Sequence, residues 1–353
     1  MGYKILVINP GSTSTKVALY ENNKQAVLKA IDHTAQELDQ FNDILDQEEF
    51  RAKMIENTME EWGTDPKTLN AVVGRGGLLP HMKAGGYLVN DDMVNAIKNG
   101  KASPHASNLG ALLASWIGKP LGIPAYIYDS VTSDEFADIA KITGMPDVHR
   151  ESMCHVLNMK AVSRKVAEKY NTTYEKMQLI VAHLGGGVSI SIHKDGKIID
   201  AIRDDAGPFS PERAGGIPLL YVVDMCYSGT YNRKEMIRRV CGLGGMKAYL
   251  GTQDCREIEK MIAEGDEKAK TIYEAQAYQI AKGIGEMAPV LNGKLDCIIL
   301  TGGMAHSKMM TDMITERVEF IAPVELMPGE NEMEALALGT ARMLDGEPAR
   351  EYK

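Results

Sequence analysis

The segment KILVINPGSTSTKVALY, residues 4–20, decides how this chain folds. Its two apolar, β-branched ends flank a polar turn that contains a glycine, so it predicts a strand, a turn and a second strand. The pattern recurs at residues 178–193, QLIVAHLGGGVSISIH, with three glycines in the turn. One such hairpin in each half of the chain indicates two homologous domains rather than a solenoid.

Strand and helix patterns alternate through the rest of the chain. Apolar runs predict strands at residues 69–73, 125–129 and 296–300, and helical spacing predicts helices at residues 106–116, 151–170, 256–263, 266–291 and 330–344. Strands interleaved with helices predict an α/β fold in which helices flank mixed sheets.

The repeated hairpin also sets the predicted domain organisation. The chain has 353 residues, which is more than one hydrophobic core usually serves. We expect an N-terminal domain over residues 1–150, joined by the C-terminal helix of residues 330–353, and a second domain over residues 151–329. The turn of each hairpin is expected to face the gap between the domains.

Composition limits the classes of partner. With 44% apolar and 25% charged residues the chain is an ordinary globular protein, and its net charge of −9 argues against nucleic acid or an anionic membrane as partners. Its five cysteines show no CxxC spacing, which indicates neither a disulfide framework nor a zinc site. No apolar stretch approaches membrane-spanning length. We therefore expect a cytoplasmic protein.

The first turn carries candidate ligands for phosphate. Asn9, Gly11, Ser12, Ser14 and Lys16 bring hydroxyl groups, backbone N–H groups and one mobile positive charge into a short segment between two strands. Such a turn can bind phosphate oxygens. The GxxxxGK[ST] pattern is absent, and an ordinary polar turn explains the same residues.

Glycine clusters follow two strands of the second half. Gly185, Gly186 and Gly187 come after His183, and Gly302 and Gly303 follow the strand predicted at residues 296–300. Glycine lets a backbone come close to a ligand, and the strand–glycine–helix context is common at nucleotide sites. A plain hairpin turn is the alternative for the first cluster.

Charged candidates stand beside glycines or at strand ends. Arg75 lies in GRGG and Arg213 in ERAGG, where small neighbours would leave a guanidinium accessible to an anion. Asp129 ends a predicted strand and Glu332 begins the last helix, so either could serve magnesium. Surface arginines and capping carboxylates are the ordinary alternatives.

Taken together and in this order, these motifs resemble the acetate and butyrate kinase (acetokinase) family of the actin-like phosphotransferase superfamily. The first turn is similar to the family's N-x-G-S-S-S-x-K motif, and residues 183–187 are similar to H-L-G-N-G. The family's F-H-G-T-S histidine falls on His155 and its H-N-P histidine on His105. The resemblance implies two actin-like, ribonuclease H-like domains with the nucleotide in the cleft between them, held by the C-terminal domain.

The resemblance also implies a role for each matching residue. The residues implied in catalysis are Arg75, Asp129, His155 and Arg213, and those implied in binding the acid are Arg75, Gly77, His105 and Cys154. The residues implied in binding the nucleotide are Asn9, Gly11, Ser12, Ser14, Lys16, His183, Gly185, Gly186, Gly187, Asp254, Arg256, Gly302, Gly303 and Met304. Those implied in binding Mg²⁺ are Asn9, Asp129 and Glu332. The implied substrates are ATP and a short-chain carboxylate, and a homo-oligomer is expected.

The expected reaction is phosphorylation of a short fatty acid, with the direction in the cell left open. Gly77 and Cys154 stand where acetate kinases carry valine and phenylalanine, so we expect a larger acyl pocket and a preference for butyrate or a branched relative. A glycine needed for a turn and an inert core thiol are the alternatives.

Two other activities share part of this pattern. A sugar or polyol kinase would need a base to take a hydroxyl proton and would not need paired arginines. An actin-like or chaperone ATPase would need a polymerising surface or a peptide-binding extension, and the sequence shows neither.

Overall fold

A computed structural model describes residues 2–80, 82–100, 102 and 105–353. The chain divides into two compact units. The first unit comprises Met1–Asp134 and Asn331–Lys353, and the second comprises Glu135–Glu330. Among the described residues, no helix combines the length and the apolar character that crossing a membrane requires.

The first unit is built on a mixed seven-stranded sheet. Its strands are β1 Lys4–Pro10, β2 Ser14–Glu21, β3 Lys24–Asp32, β4 Ala71–Arg75, β5 Gly86–Leu88, β6 Ala125–Tyr128 and β12 Arg350–Glu351, in the spatial order β12-β5-β6-β4-β1-β2-β3. The hairpin of β1 and β2 extends antiparallel to β3, whereas β4 and β6 run parallel to β1.

The second unit repeats the central part of this topology. Its strands are β7 Leu179–Leu184, β8 Val188–Lys194, β9 Lys197–Ile202, β10 Cys297–Gly302 and β11 Val324–Pro328, in the order β11-β10-β7-β8-β9. As in the first unit, the opening hairpin continues antiparallel into a third strand, and two further strands run parallel to the first. The register slips once between the second and third strands of each unit, at Leu19/Tyr20 and at Ile192/His193. The internal repeat predicted from the hairpins is therefore confirmed.

Helices cover the sheets of both units. They are α1 Ala35–Leu38, α2 Glu48–Glu61, α3 Asp91–Lys98, α4 Leu109–Leu121, α5 Val156–Lys169, α6 Leu219–Tyr227, α7 Arg233–Cys241, α8 Gly245–Leu250, α9 Cys255–Ala263, α10 Glu267–Met287, α11 Lys308–Val318 and α12 Glu332–Leu344. In the first core, Leu6 of β1 packs with Ile55 of α2 and Leu112 of α4. In the second, Ile180 of β7 packs with Ile280 of α10. The predicted α/β class with helix-flanked mixed sheets is confirmed.

Several predicted helices end or begin elsewhere than expected. The helix expected at 151–170 begins only at Val156, and the one expected at 330–344 begins at Glu332. The helix expected at 106–116 starts as a short 3₁₀ turn and becomes α4 at Leu109. The helix expected to reach residue 291 ends at Met287 and continues as a 3₁₀ turn, because Pro289 lacks the N–H that another α-turn needs.

The boundary between the units lies earlier than residue 150. Ala137 N–H donates to Ile199 O at 2.9 Å, and Arg150 donates to Ala201 O at 2.7 Å, so the segment after Asp134 is bound to the outer strand β9. These contacts group residues 135–150 with the second unit. The C-terminal segment groups with the first unit, where β12 pairs with β5.

Candidate active site

Three parallel strands of the first unit end side by side and carry three of the predicted residues. Asn9 is the next-to-last residue of β1, Arg75 is the last residue of β4, and Asp129 directly follows β6. These strands are neighbours in the sheet, so their carboxyl ends form one edge, which we call the first edge. In open α/β sheets, ligands bind outside such an edge.

The helix α12 brings Glu332 to the first edge. Arg75 NH1 lies 2.9 Å from Glu332 Oε1, and Asn9 donates a short hydrogen bond to Glu332 Oε2. The Glu332 side chain is only 5% exposed and that of Arg75 21%, so the ion pair is screened little by water. Residues from the beginning, the first third and the end of the chain thus meet in one cluster.

Asp129 has an unusual backbone conformation. Its φ of 44° lies in the left-handed region, which asparagine and aspartate tolerate better than most residues. The conformation is fixed from both sides, because Gly85 N–H donates to Asp129 Oδ1 at 2.8 Å and Asp129 N–H donates to Gly85 O at 3.1 Å. The carboxylate is buried at the strand end and oriented by the loop that precedes β5.

The first turn connects β1 to β2 at the same edge. Ser12 and Thr13 are exposed, and Lys16 pairs in register with Asn9. A fully buried arginine, Arg51 of α2, lies behind the turn and donates to the carbonyl oxygens of Gly11, Ser12 and Ser14.

Two histidines stack in the second unit. His155 precedes α5, His183 lies near the end of β7, and their ring centroids are 4.2 Å apart with planes inclined by 27°. The Asn158 amide nitrogen lies 3.0 Å from His183 Nδ1 and donates to Thr301 Oγ1 at 3.0 Å. An amide donor at Nδ1 requires a neutral ring there, with the proton on Nε2. Asn158 thus directs the Nε2–H of His183 toward the glycine turn, where a Cβ on Gly185 would lie 3.1 Å from Nε2.

A cavity of about 760 Å³ in the second unit brings together six of the predicted nucleotide ligands. Its lining includes Gly185, Gly186, Asp254, Arg256, Gly303 and Met304, and also Glu212, Glu259 and His306. These residues come from the carboxyl ends of β7 and β10 and from the start of α9. We call this side of the second sheet the second edge. Its volume is within the usual range for small-molecule sites.

Gly302 is required by the backbone at the second edge. Its φ is +91°, and a Cβ there would lie 2.5 Å from Leu184 O. The strand β10 can therefore come this close to β7 and turn into the 3₁₀ segment Gly303–His306 only with glycine at this position.

Asp254 caps α9 as well as lining the cavity. Its side chain accepts from Arg256 N–H at 2.9 Å, and Arg256 NH2 lies 2.6 Å from Asp254 Oδ2. The hydrogen bond from the Arg256 side chain is the main reason that the pKa of Asp254 falls to about 2. The carboxylate is therefore ionised throughout the physiological range.

Arg213 is held by an aspartate that the sequence analysis did not identify. Arg213 NH1 lies 2.6 Å from Asp204 Oδ2, and burial raises the pKa of Asp204 although Arg213 opposes the shift. A Cβ on Gly187 would lie 2.8 Å from Asp204 Oδ2 and 3.2 Å from Arg213 Nε, so only glycine leaves space for the pair. Within the described part of the chain, the buried Arg213 Nε has no hydrogen-bond acceptor.

Comparison with known proteins identifies the family. The acetokinase family model matches residues 149–335. A curated relative named butyrate kinase 2, from Clostridium acetobutylicum, is 46% identical over 356 aligned residues that cover the whole of both chains. The chain belongs to the acetokinase family. It is therefore an enzyme of the carboxylate kinase type, which is a class of transferase.

Solved structures support the fold of this acetokinase. The acetate kinase of Porphyromonas gingivalis superposes with a TM-score of 0.81 at 19% identity, covering 97% of this chain and all of its own. A propionate kinase of Francisella tularensis gives 0.74 at 19% identity, covering 95% of this chain and 98% of its own. A ROK family protein of Streptococcus pneumoniae superposes with a TM-score of 0.53 at 11% identity, covering 97% of this chain and 99% of its own. The predicted actin-like arrangement of two similar domains is confirmed at the level of the fold.

The structure contradicts one of the two reasons for expecting a large acyl pocket in this acetokinase, the space beside Gly77. A Cβ on Gly77 would lie 2.1 Å from Asn108 Oδ1 and 2.8 Å from Asn108 Cα. Asn108 is buried and accepts from Leu78 N–H at 2.7 Å, so the space beside Gly77 is already filled. The glycine therefore serves close packing rather than opening a pocket.

Cys154 lies in a buried environment, and His105 caps a short turn. Cys154 is 5% exposed, and burial raises the pKa of its thiol to about 12, so the thiol is un-ionised near neutral pH. His105 Nδ1 accepts from Ser107 N–H at 3.2 Å and so caps the short 3₁₀ turn before α4. Binding of substrate by either residue stays a prediction.

Four residues of this acetokinase that shape the two edges were missed by sequence reasoning: Arg51, Asn158, Asp204 and Glu259. One of them left a detectable signal. Arg51 shares a helical face with the buried residues Ile55 and Met59, at spacings of four and eight, and a charge on an apolar face is unusual. The other three became recognisable only from their partners, as with Glu259, which accepts from Tyr273 OH at 2.6 Å.

Proposed function

We propose that this acetokinase transfers the γ-phosphoryl group of ATP to the carboxylate of butyrate, giving ADP and butanoyl phosphate. The observation that carries the proposal is the full-length identity of 46% to the relative named butyrate kinase 2. The bond that forms joins a carboxylate oxygen to the γ-phosphorus. The bond that breaks joins that phosphorus to the β–γ bridging oxygen, whose electron pair stays with ADP.

The acceptor needs no general base. A carboxylic acid with a pKa near about 4 is ionised at neutral pH. The barrier arises instead because an anionic acceptor must approach an anionic phosphoryl group, so charge neutralisation and in-line positioning supply the catalysis. This requirement distinguishes the proposal from a sugar kinase, which must remove a hydroxyl proton.

The arginines provide the charge in this proposal. Arg75, oriented by Glu332, would hold the acceptor carboxylate, and Arg213, oriented by Asp204, would bind the transferring phosphoryl group. The buried Arg213 Nε–H, which has no acceptor among the described residues, is a donor that a phosphate oxygen would satisfy. His155 would donate a hydrogen bond to the equatorial oxygens.

The nucleotide is assigned to the second edge. The turn Gly185 to Gly187 would contact the phosphate chain with its backbone, and the cavity lined by Asp254, Arg256 and residues 303–304 would hold the adenosine. The volume of about 760 Å³ and the glycine-lined entrance support this assignment.

Mg²⁺ is assigned to the first edge. Asn9, Asp129 and Glu332 carry the oxygen donors that this cation prefers, and it usually binds through one or two carboxylates together with water and substrate phosphate. The described residues include no cluster of three or more His, Cys, Asp or Glu side chains placed for a metal, which favours contact through water and phosphate. When bound, the cation would neutralise charge on the transferring phosphate.

One assay tests the reaction. The purified protein is incubated with ATP, Mg²⁺ and hydroxylamine, together with acetate, propionate, butyrate or isobutyrate, and the acyl hydroxamate is measured. We expect product with several of these acids and the highest kcat/KM with butyrate. The absence of hydroxamate from every acid would refute the proposed reaction, and a higher kcat/KM for acetate would refute the preference.

We also propose that the protein forms a homodimer through α6. This helix has no buried residue, and its apolar side chains protrude: Leu219 is 80% exposed, Leu220 77% and Tyr227 87%. Tyr221, Leu243 and Tyr249 are exposed as well. Exposed apolar side chains grouped in this way are typical of a surface that binds another protein.

A second copy of the chain is the occupant that this surface fits best. Beside α6 lies a cavity of about 1070 Å³, lined by Ile217, Met225, Tyr231, Leu243 and Tyr249 among others. A protruding apolar helix and a neighbouring groove on one surface can satisfy each other across a two-fold axis. Sedimentation velocity should give a dimer for the wild type.

Paired substitutions test this interface. Leu220→Glu combined with Tyr227→Glu should give a monomer, whereas Phe320→Glu, at an 84% exposed position elsewhere in the second unit, should leave the dimer intact. A wild-type monomer at every concentration would refute the homodimer and leave a different protein as the partner of α6.

A cytoplasmic location remains a proposal, supported by five free cysteines.

A further inference from the structure

Arg51 is a fully buried arginine whose charge has an unusual environment. Its side chain is 0% exposed, and its guanidinium donates to Gln47 Oε1 from Nε at 3.0 Å and from NH2 at 2.7 Å. Among the described residues, no carboxylate lies within ion-pair distance of it. A buried charge without a counter-ion is costly unless something compensates it.

The remaining donors of Arg51 all point into the first turn. NH1 lies 2.8 Å from Gly11 O and 3.2 Å from Ser14 O, and NH2 lies 3.2 Å from Ser12 O. The carbonyl of Thr13 is bound as well, since His33 N–H donates to it at 2.8 Å. Four successive carbonyl oxygens of the turn are therefore occupied from within the fold.

This pattern fixes the direction of the N–H groups of the turn. In a trans peptide unit the N–H of one residue points opposite to the C=O of the residue before it. With the carbonyls of Gly11, Ser12 and Thr13 held, the following N–H groups point away from the donors Arg51 and His33. Ser12 and Thr13 are exposed, so this face of the turn is accessible to a ligand. Successive N–H groups on one face form a binding site for anions.

Behind the turn, Arg51 is joined through Thr15 to a histidine, His33, that adds no second positive charge near neutral pH. Thr15 Oγ1 accepts from Arg51 NH1 at 3.0 Å and lies 2.8 Å from His33 Nε2. Burial, followed by the charge of Arg51, lowers the pKa of His33 to about 4 despite the opposing influence of Glu37 and Asp32.

We propose that Arg51 is the positioning residue of the phosphate-binding turn: it holds the carbonyls so that the N–H groups face the ligand, and its buried charge is compensated by the bound phosphate. The inference rests on the proposed function, together with the prediction from the sequence that the first turn also contacts the phosphates of ATP. Arg51 itself touches no substrate, because Gly11 to Ser14 lie between them.

The test compares ATP with adenosine, which lacks the phosphates. Arg51→Met removes the charge and the donors while keeping most of the side-chain volume. Calorimetry should show ATP binding weakened about 10- to 100-fold, as for the loss of a hydrogen-bonded charge, with adenosine affinity unchanged. Arg342→Met is the matched control, since Arg342 lies in the same unit and donates to Tyr128 and Glu347 instead. It should leave the ratio of the two affinities as in the wild type.

Arg51→Lys covers the case in which the methionine variant does not fold. Lysine keeps the charge but cannot reach all the carbonyls, so ATP binding should weaken less than in Arg51→Met and adenosine binding should again be unchanged. Equal weakening of both ligands, or unchanged ATP affinity in a folded variant, would overturn the inference. A wild-type protein that binds neither ATP nor adenosine would instead refute the proposed function.

Discussion

The two edges use the same strand topology but bind their proposed ligands by different physical means. The first edge concentrates charge: Arg75 pairs with the buried Glu332, and Arg51 lies buried behind the first turn. The second edge offers mainly shape and neutral donors, because three glycines form its turn and the neutral His183 is fixed by Asn158. The duplicated scaffold has therefore diverged through a few turn residues, into a site for charge neutralisation and a site for holding a nucleotide.

The comparison predicts the largest loss of activity at the first edge. Arg75→Ala should lower kcat/KM several hundredfold, which corresponds to a loss of about 3–4 kcal/mol of transition-state stabilisation. The reason is that the substitution removes a preorganised positive charge that faces the acceptor carboxylate. The effect should fall mainly on the acid, with the KM for ATP changed far less. Steady-state kinetics with butyrate measure it, and a near-wild-type rate would show that Arg75 serves only the ion pair with Glu332.

At the second edge Asp204 holds Arg213 beside the glycine turn, and loss of this partner should cost less. Asp204→Asn removes the partner of Arg213 while keeping the side-chain shape, so Arg213 stays but is held loosely. We expect kcat to fall roughly 10- to 100-fold, with less than threefold change in the KM for butyrate. Asp205→Asn is the control, since Asp205 pairs with Arg203 on the surface. Equal effects of the two substitutions would contradict a positioning role.

A smaller effect is expected from the neutral donor. Asn158→Leu removes the amide that fixes the His183 ring, and we expect ATP affinity to fall about 5- to 10-fold. Nitrogen-15 chemical shifts should show the ring as the Nε2–H tautomer in the wild type and as a mixture in the variant. A variant that keeps the wild-type tautomer would show that the protein fixes the ring without Asn158.

Stability in acid, rather than activity, gives a further comparison, because each unit contains a buried histidine. The pKa of His33 is lowered to about 4 and that of His193 to about 3, with burial the main cause in both. Above pH 6.5 both rings are neutral in the folded and unfolded chains. As the pH falls from 6.5 to 4, the unfolded chain binds protons that the folded chain does not, so the free energy of unfolding decreases.

Replacing His33 tests this linkage. His33→Gln should remove about 2–3 kcal/mol of the decrease between pH 6.5 and 4, as measured by urea denaturation at several pH values. His193→Gln, in the second unit, should likewise reduce the decrease in the free energy of unfolding, over a pH range that extends down to 3. A pH dependence unchanged in both variants would mean that carboxylates dominate acid unfolding.

The hairpins could be predicted because their signals are local. β-branched residues on either side of a glycine-containing turn define β1, β2, β7 and β8 within short segments of sequence. The third strand of the first unit, β3, was not predicted because KQAVLKAID mixes charged and apolar residues, and its partly exposed pattern comes from an edge position.

The site was only partly predictable for a related reason. Arg75 and Arg213 could be identified from the glycines around them, but their partners could not. Glu332 is far from Arg75 in sequence, and the pairing exists only after α12 has packed on the sheet of the first unit. The supposed pocket at Gly77 failed because the sequence does not show that Asn108 fills the adjacent space.

The position of α12 has a consequence for how the protein is made. Most of the first unit is synthesised before the second unit, yet it is completed by residues 331–353, which are synthesised after the second unit. At a synthesis rate of about 5–20 residues per second, Asn9 and Arg75 wait on the order of tens of seconds for Glu332. The intervening unit can fold in that time, because its residues are contiguous. The charged cluster is therefore assembled last, and a nascent chain interrupted before α12 lacks the carboxylate that completes it.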